Sequence, residues 1–322
     1  MTIDSHSIPF VLFYIHAVYN ELSGVKRMKV DGVFSGGGVK ALAFIGALEE
    51  LEDRGYSFSR VAGTSAGAIL ASLTAAGFSA KELKERLKSL SFLSLVDVPL
   101  SDRLFPFMKW LLLYYRMGLY RGNQLETVLE HWLGEKGVRT FADIPKGALK
   151  VICSDLTLGR IVVIPDDLKK VYGIDPATFS VAKAVRMSSG LPYFFFPVKI
   201  HGKRGKSVIV DGGVLSNFPL WIWEKKDGCR TRPVIGMKLS DEPDKLPEQR
   251  IKNAIQMFHA LFKTMQQAHD SRYISKTLSK DIIFIPVNNV ETIDFAMSEK
   301  EKEALMDLGR EHASKFLRRW SR

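Results

Sequence analysis

Two cysteines in 322 residues are too few for a disulfide scaffold, and Cys153 and Cys229 stand far apart with no Cys-x-x-Cys motif. Reduced structural thiols follow, which suits a cytoplasmic protein. Long apolar runs are also missing. The stretch Leu104 to Tyr115 is broken by Lys109 and is far short of the roughly 20 residues needed to span a bilayer. Ile8 to Ile15 is apolar, but no basic region precedes it and no small-residue cleavage site follows, which argues against a secretory signal. Repeats, low-complexity linkers and metal-ligand clusters are absent, as are the Walker spacing and the dinucleotide pattern Gly-x-Gly-x-x-Gly, so neither metal nor cofactor is called for.

Acid is in deficit. Against 46 Lys and Arg there are 35 Asp and Glu, a formal net charge of +11, which favours anionic partners such as a phospholipid surface or nucleic acid. No RNA-binding motif, zinc-finger spacing or helix-turn-helix pattern accompanies the charge, so nucleic acid is set aside. With 46% hydrophobic and 25% charged residues the chain has the composition of an ordinary folded protein.

What is present centres on Gly63-Thr64-Ser65-Ala66-Gly67, between an apolar strand-like stretch ending near Val61 and an apolar helix-like run, Ala66 to Ala76. In a Gly-x-Ser-x-Gly elbow small neighbours let the chain turn from strand to helix, and the serine projects at a helix N-terminus that favours negative charge. The same five residues also serve as a plain packing turn, so the rest of the chain must decide.

Upstream, Lys29 to Phe34 reads as a buried strand running into Ser35-Gly36-Gly37-Gly38, and Val39 to Arg54 has helical apolar spacing closed by Gly55. Consecutive glycines aim several N–H groups at one anion. Lacking phosphate-loop spacing, this loop fits an oxyanion hole better. Two strand–loop–helix units in succession imply a right-handed βαβ unit, which sets the glycine loop beside Ser65. Further on, Ser207 to Val210 is a strand delivering Asp211-Gly212-Gly213, then Asn217-Phe218-Pro219. That is where an active-site base would sit, although Asp-Gly is also a common turn.

Other segments are less specific. Residues 8–22 form a short amphipathic helix, either a packing arm or homo-oligomer contact or a membrane contact. Residues 91–121 interleave aromatic and aliphatic side chains with Arg103, Lys109, Arg116 and Arg121, which fits a lid or interfacial surface, or a helical subdomain packed on the core. Phe194 to Phe196 are core or the wall of an acyl pocket. Asp155 is read as orienting a loop, His16 as a surface or packing histidine and His131 as structural. Helices are expected over 122–133, 180–187, 250–279 and 298–320, and strands over 149–153, 160–164, 234–239 and 281–287.

Gly36-Gly37-Gly38-Val39-Lys40, Gly63-Thr64-Ser65-Ala66-Gly67 and Asp211-Gly212-Gly213 together resemble the patatin-like phospholipase family, over at least Val30 to Pro219 and including Ser188 to Val198. The resemblance implies a patatin-type α/β sandwich with a central, mostly parallel sheet and a helical, aromatic-rich insert. It makes 1–322 a single domain, with 29–220 the catalytic core and 240–322 its helical and strand completion. It implies a lipid acyl hydrolase acting on phospholipid or another acyl-ester lipid, with peripheral membrane contact. Carried over by position, Ser65 is the nucleophile and Asp211 the base. Gly36, Gly37 and Gly38 form the oxyanion hole, with Gly37 and Gly38 the main donors. Gly63, Gly67, Gly212 and Gly213 support the turns, and Lys40 either adds positive potential or is merely solvated. One departure is Ala41, where the family often has glycine; modest crowding is expected there. Two alternatives stay open: a Ser65…Asp211…His259 or His269 triad, and a non-catalytic lipid-binding protein of the same fold.

Overall fold

The computed structural model describes residues 28–97, 109–203, 205–224, 229–239, 251–252, 278–287 and 296–320, and seven helical positions between 256 and 270. The 8–22 segment, residues 98–108 and both His259 and His269 lie outside the described residues.

Strand β1 (Met28–Phe34) leads through the glycine loop into a tight 3-10 turn, Gly38–Ala41, then helix α1 (Leu42–Asp53). One continuous helix from Val39 was expected. The first turn is tighter because Gly38, at φ 57, redirects the chain before α-helical hydrogen bonding starts. Strand β2 (Tyr56–Thr64) outruns its expected end near Val61, since Val61 to Thr64 pair in parallel with a neighbouring strand. Helix α2 (Ala66–Ala75) follows the elbow, and α3 (Ala80–Ser89) starts at a Ser79–Glu82 capping box.

The insert supplies α4 (Lys109–Arg116) and β3 (Gly118–Tyr120), and α5 (Asn123–Glu135) follows as the helix expected over 122–133. Then come β4 (Leu149–Asp155), β5 (Arg160–Ile164), α6 (Val181–Ser188), β6 (Tyr193–Phe195), β7 (Val198–Gly202) and β8 (Gly205–Asp211). Strands β9 (Val234–Lys238) and β10 (Ile282–Phe284) and helix α7 (Glu299–Leu317) complete the described elements. Strands β3 and β6, three residues each, pair with one another as a separate parallel ribbon and are too short for a sequence signal.

The main sheet runs β10-β9-β1-β2-β4-β8-β7, with β5 on β4. From β10 to β4 it is parallel, and β8, β7 and β5 add antiparallel pairings. Both faces are buried, and alternation along the strands shows it. Phe34, Val61, Ile235 and Ile283 join the large core with α1, α2, α3 and α7. Their neighbours Val33, Ala62, Val234 and Ile282 pack instead under Phe218, Leu220 and Trp223. This is an α/β sandwich with a mostly parallel central sheet.

The pairing along β4 sets the site. Val151 to Asp155 pair with β5 along one edge, so β2, on Leu149 to Ile152, and β8, on Cys153 to Asp155, must share the other. Strand β2 runs parallel to β4 and β8 antiparallel, so their carboxyl ends meet head-on, Thr64 opposite Ile152 and Asp211 opposite Cys153.

Candidate active site

Ser65 follows directly from that junction. It sits at φ 55, ψ −126, outside the ordinary regions for a side-chain-bearing residue, and begins α2 by accepting from Ala68 N–H at 2.9 Å. A Cβ on Gly63 would collide with the Gly67 carbonyl, and one on Gly67 with the carbonyls of Phe34 and Ser35. Both expected elbow glycines are therefore required by close approach. Gly36 lies across from the serine: a Cβ there would stand 3.2 Å from the Ser65 Cβ and would clash with Asn217 Oδ1.

The Gly36 N–H donates to the Asn217 carbonyl at 3.1 Å. That occupied donor narrows the expected oxyanion set. Gly36 supplies room beside Ser65, while the N–H groups of Gly37 and Gly38 have no hydrogen-bond acceptor among the described residues.

Asp211 is 3% exposed, and its Oδ1 accepts from Gly213 N–H at 2.7 Å. Burial raises its pKa to about 6, against the opposing hydrogen bonds from the Ser65 hydroxyl and Gly213 N–H. An ordinary aspartate titrates near 4, and burial makes this one a better base at neutral pH. Gly212 packs against the Ile152 carbonyl, with a Cβ position 3.0 Å from Thr64 Cγ2, so the Asp-Gly-Gly turn nests into the end of β2. The Thr64 hydroxyl donates to the Ser216 carbonyl at 3.0 Å, and Asn217 follows, so one short segment ties the aspartate turn to both other motifs.

The patatin-like phospholipase profile matches residues 32–222, more than half of the chain. The chain belongs to the patatin-like phospholipase family. An uncharacterized protein of Bacillus subtilis strain 168, YqhO, is 45% identical over 294 residues, 91% of this chain and all of that protein. An uncharacterized Acanthamoeba polyphaga mimivirus protein, R571, is 25% identical over 284 residues, 85% of this chain and 89% of that one. Among solved structures VipD from Legionella pneumophila superposes with a TM-score of 0.53 at 17% identity, covering 91% of this chain and 67% of that one, a likeness of fold. Family membership supports lipid acyl hydrolysis in general terms.

In this patatin-like chain the first motif departs at Ala41, which is 5% exposed with φ −63, ψ −10. Alanine adopts that right-handed backbone without strain, and its methyl joins the large core. Lys40 Nζ donates to the Val287 carbonyl at 3.1 Å and ties the glycine loop to the chain after β10.

Two residues near the site were not singled out from sequence. Ser188, wholly buried at the end of α6, accepts from Ser65 N–H at 2.9 Å and donates to the Ile152 carbonyl at 2.6 Å. It clamps the strained elbow to β4. Asp270, 3% exposed, accepts from Phe218 N–H at 3.0 Å and pairs with Lys238 at the end of β9, fixing the chain after Asn217. The only local signal was the position of Ser188 inside the Ser188 to Val198 resemblance. Asp155 behaves as expected: it accepts from Thr157 and Leu158 N–H and from the Tyr172 hydroxyl, ordering the β4–β5 turn.

Proposed function

We propose that this chain is a serine carboxylic-ester hydrolase of phospholipase A type, with Ser65 as nucleophile and Asp211 as general base, and with no histidine in the reaction. The observation that carries this reading is the head-on meeting of β2 and β8 along one edge of β4, which brings Ser65 and a buried carboxyl of pKa about 6 to one point.

In the forward step the Ser65 Oγ attacks the acyl carbonyl while its proton passes to Asp211. The oxyanion that forms accepts from Gly37 and Gly38 N–H, and each such donor is worth roughly 3–4 kcal/mol in the transition state. On collapse the C–O bond breaks, Asp211 returns the proton to the leaving alcohol, and the acyl group stays on Ser65. Water, deprotonated by Asp211, then attacks the acyl-serine, and its proton goes back to Ser65 as the fatty acid departs. Ser188 holds the nucleophile's backbone through each step.

Supporting the lipid substrate are the family itself and the basic chain, and the reading places the enzyme in the cytoplasm at a membrane surface, as one domain. Among the described residues no helix is long and apolar enough to cross a membrane. Lipid-product profiling tests the reading: wild type should release free fatty acid from phospholipid or p-nitrophenol from acyl esters, and Ser65→Ala should lower the rate by at least about 10³-fold. Equal release by the two proteins would sink it and return the non-catalytic lipid-binding alternative.

A further inference from the structure

The β3–β6 ribbon and the end of α4 expose an aromatic surface that the reaction does not use. Tyr114 is 79% exposed, Tyr115 71% and Tyr193 55%, and Met117 stands out beside them. The pairing of Gly118 with Tyr193 sets Met117 next to Tyr193 across the ribbon. Both residues hold left-handed backbone, Met117 at φ 59 and Tyr193 at φ 63. Apart from Ser65 they are the only non-glycine residues among the described ones to do so. Backbone strain of this kind costs on the order of 1–3 kcal/mol per residue and persists where surrounding structure imposes it. Here it holds large apolar side chains in water, where burial cannot repay it.

The patch lies close to the site along the chain. Tyr193 is three residues from Gly190, whose carbonyl accepts from Asp211 N–H at 2.9 Å. Arg186, buried on α6, donates to the carbonyls of Gly122, Arg121 and Phe196, so the ribbon's two strands are fastened to the helix that ends in Ser188. The charge is mainly basic, although the Asp97 carboxylate accepts from Gly122 and Asn123 N–H beside Arg121. Residues 109–121 and 190–201 contain Lys109, Arg116, Arg121 and Lys199 and not one Asp or Glu.

We infer that Tyr114, Tyr115, Met117 and Tyr193 form the surface by which the protein docks on an anionic lipid bilayer, with Arg116 and Arg121 against the headgroups. Tyrosine is suited to this depth, its ring entering the interface and its hydroxyl staying wet. The excess of base over acid selects a negatively charged surface over a neutral one. This deepens the lipid hydrolase reading by naming how substrate is met, and the two fail separately.

Cosedimentation is measured in the Ser65→Ala background, so that the vesicles are not consumed. The vesicles are phosphatidylcholine alone or phosphatidylcholine with added phosphatidylglycerol. Two variants are compared with the parent: Tyr114→Ser with Tyr115→Ser, both at exposed positions, and Tyr193→Gly, which suits the left-handed backbone and so leaves folding secure. The parent should prefer the anionic vesicles, lose binding as salt rises, and bind about tenfold more tightly than either variant, with no fall in melting temperature in either variant. Binding by both variants equal to the parent's would overturn the assignment. So would indifference to phosphatidylglycerol, as would a loss of self-association in place of a loss of vesicle binding. A fall in melting temperature with vesicle binding intact would also overturn it, since it would make these side chains part of the fold's own packing.

Discussion

The elbow at Ser65 and the ribbon carrying Met117 and Tyr193 hold the same kind of strained backbone, yet their surroundings are opposite. Around Ser65 every support is buried: Ser188 below the N–H, glycines where carbonyls crowd, and Asp211 shut away from water. Around Met117 and Tyr193 the backbone is held by the ribbon and by Arg186, and the side chains face solvent. Strain enclosed by hydrogen bonds positions a reacting atom to a fraction of an ångström. Strain that presents apolar rings to water positions a surface.

The sharpest way to break this contrast is to change the enclosed side. Asp211→Asn keeps an oxygen for the Gly213 N–H but removes the base, and kcat should fall by about 10³-fold. The same change should stabilise the fold in a pH-dependent manner. Because burial raises the folded pKa to about 6, the ionised form destabilises the fold. That cost is absent below the ordinary carboxylate range near 4, grows as pH rises from about 4 to about 6, and is constant above. Asp211→Asn should thus gain up to about 3 kcal/mol at pH 8 and nothing at pH 4, read from denaturant unfolding at both pH values.

A smaller effect is expected at the clamp. Ser188→Ala leaves the Ser65 N–H buried without a partner, at a stability cost of about 1–3 kcal/mol. It should lower kcat by about 10- to 100-fold with little change in KM, whereas a Ser188→Thr variant that keeps the hydroxyl should recover most of the rate. Equal loss in both variants would point to packing. Smallest is the exposed side, where Tyr193→Gly relieves the left-handed strain and should raise stability by about 1 kcal/mol, checked by thermal melting.

These contrasts also separate what the sequence discloses from what it hides. The elbow, the glycine loop and Asp211 are legible because each is a local pattern at a strand end, with small residues marking close approach. Ser188 and Asp270 are not, since their hydrogen bonds span 123 and 52 residues and depend on how the sheet closes. The same holds for Lys40, whose partner carbonyl is 247 residues away. The raised pKa of Asp211 is not legible in the sequence either, because burial is a property of the packed fold. The β3–β6 ribbon was hidden by its brevity, and 91–121, expected to be either surface or core, is divided: Phe92 and Leu95 pack inside while Tyr114 and Tyr115 face out.

A pH–rate profile alone would not single out the dyad, because a buried aspartate near 6 and an ordinary imidazole near 6.5 titrate together. The direct measurement is kcat/KM for a variant in which His259 and His269 are both replaced by asparagine, set beside wild type and Asp211→Asn on one soluble ester. If Ser65 works with Asp211 alone, the double histidine variant keeps its rate within a few-fold while Asp211→Asn collapses; a collapse of the histidine variant to the level of Ser65→Ala would contradict the account.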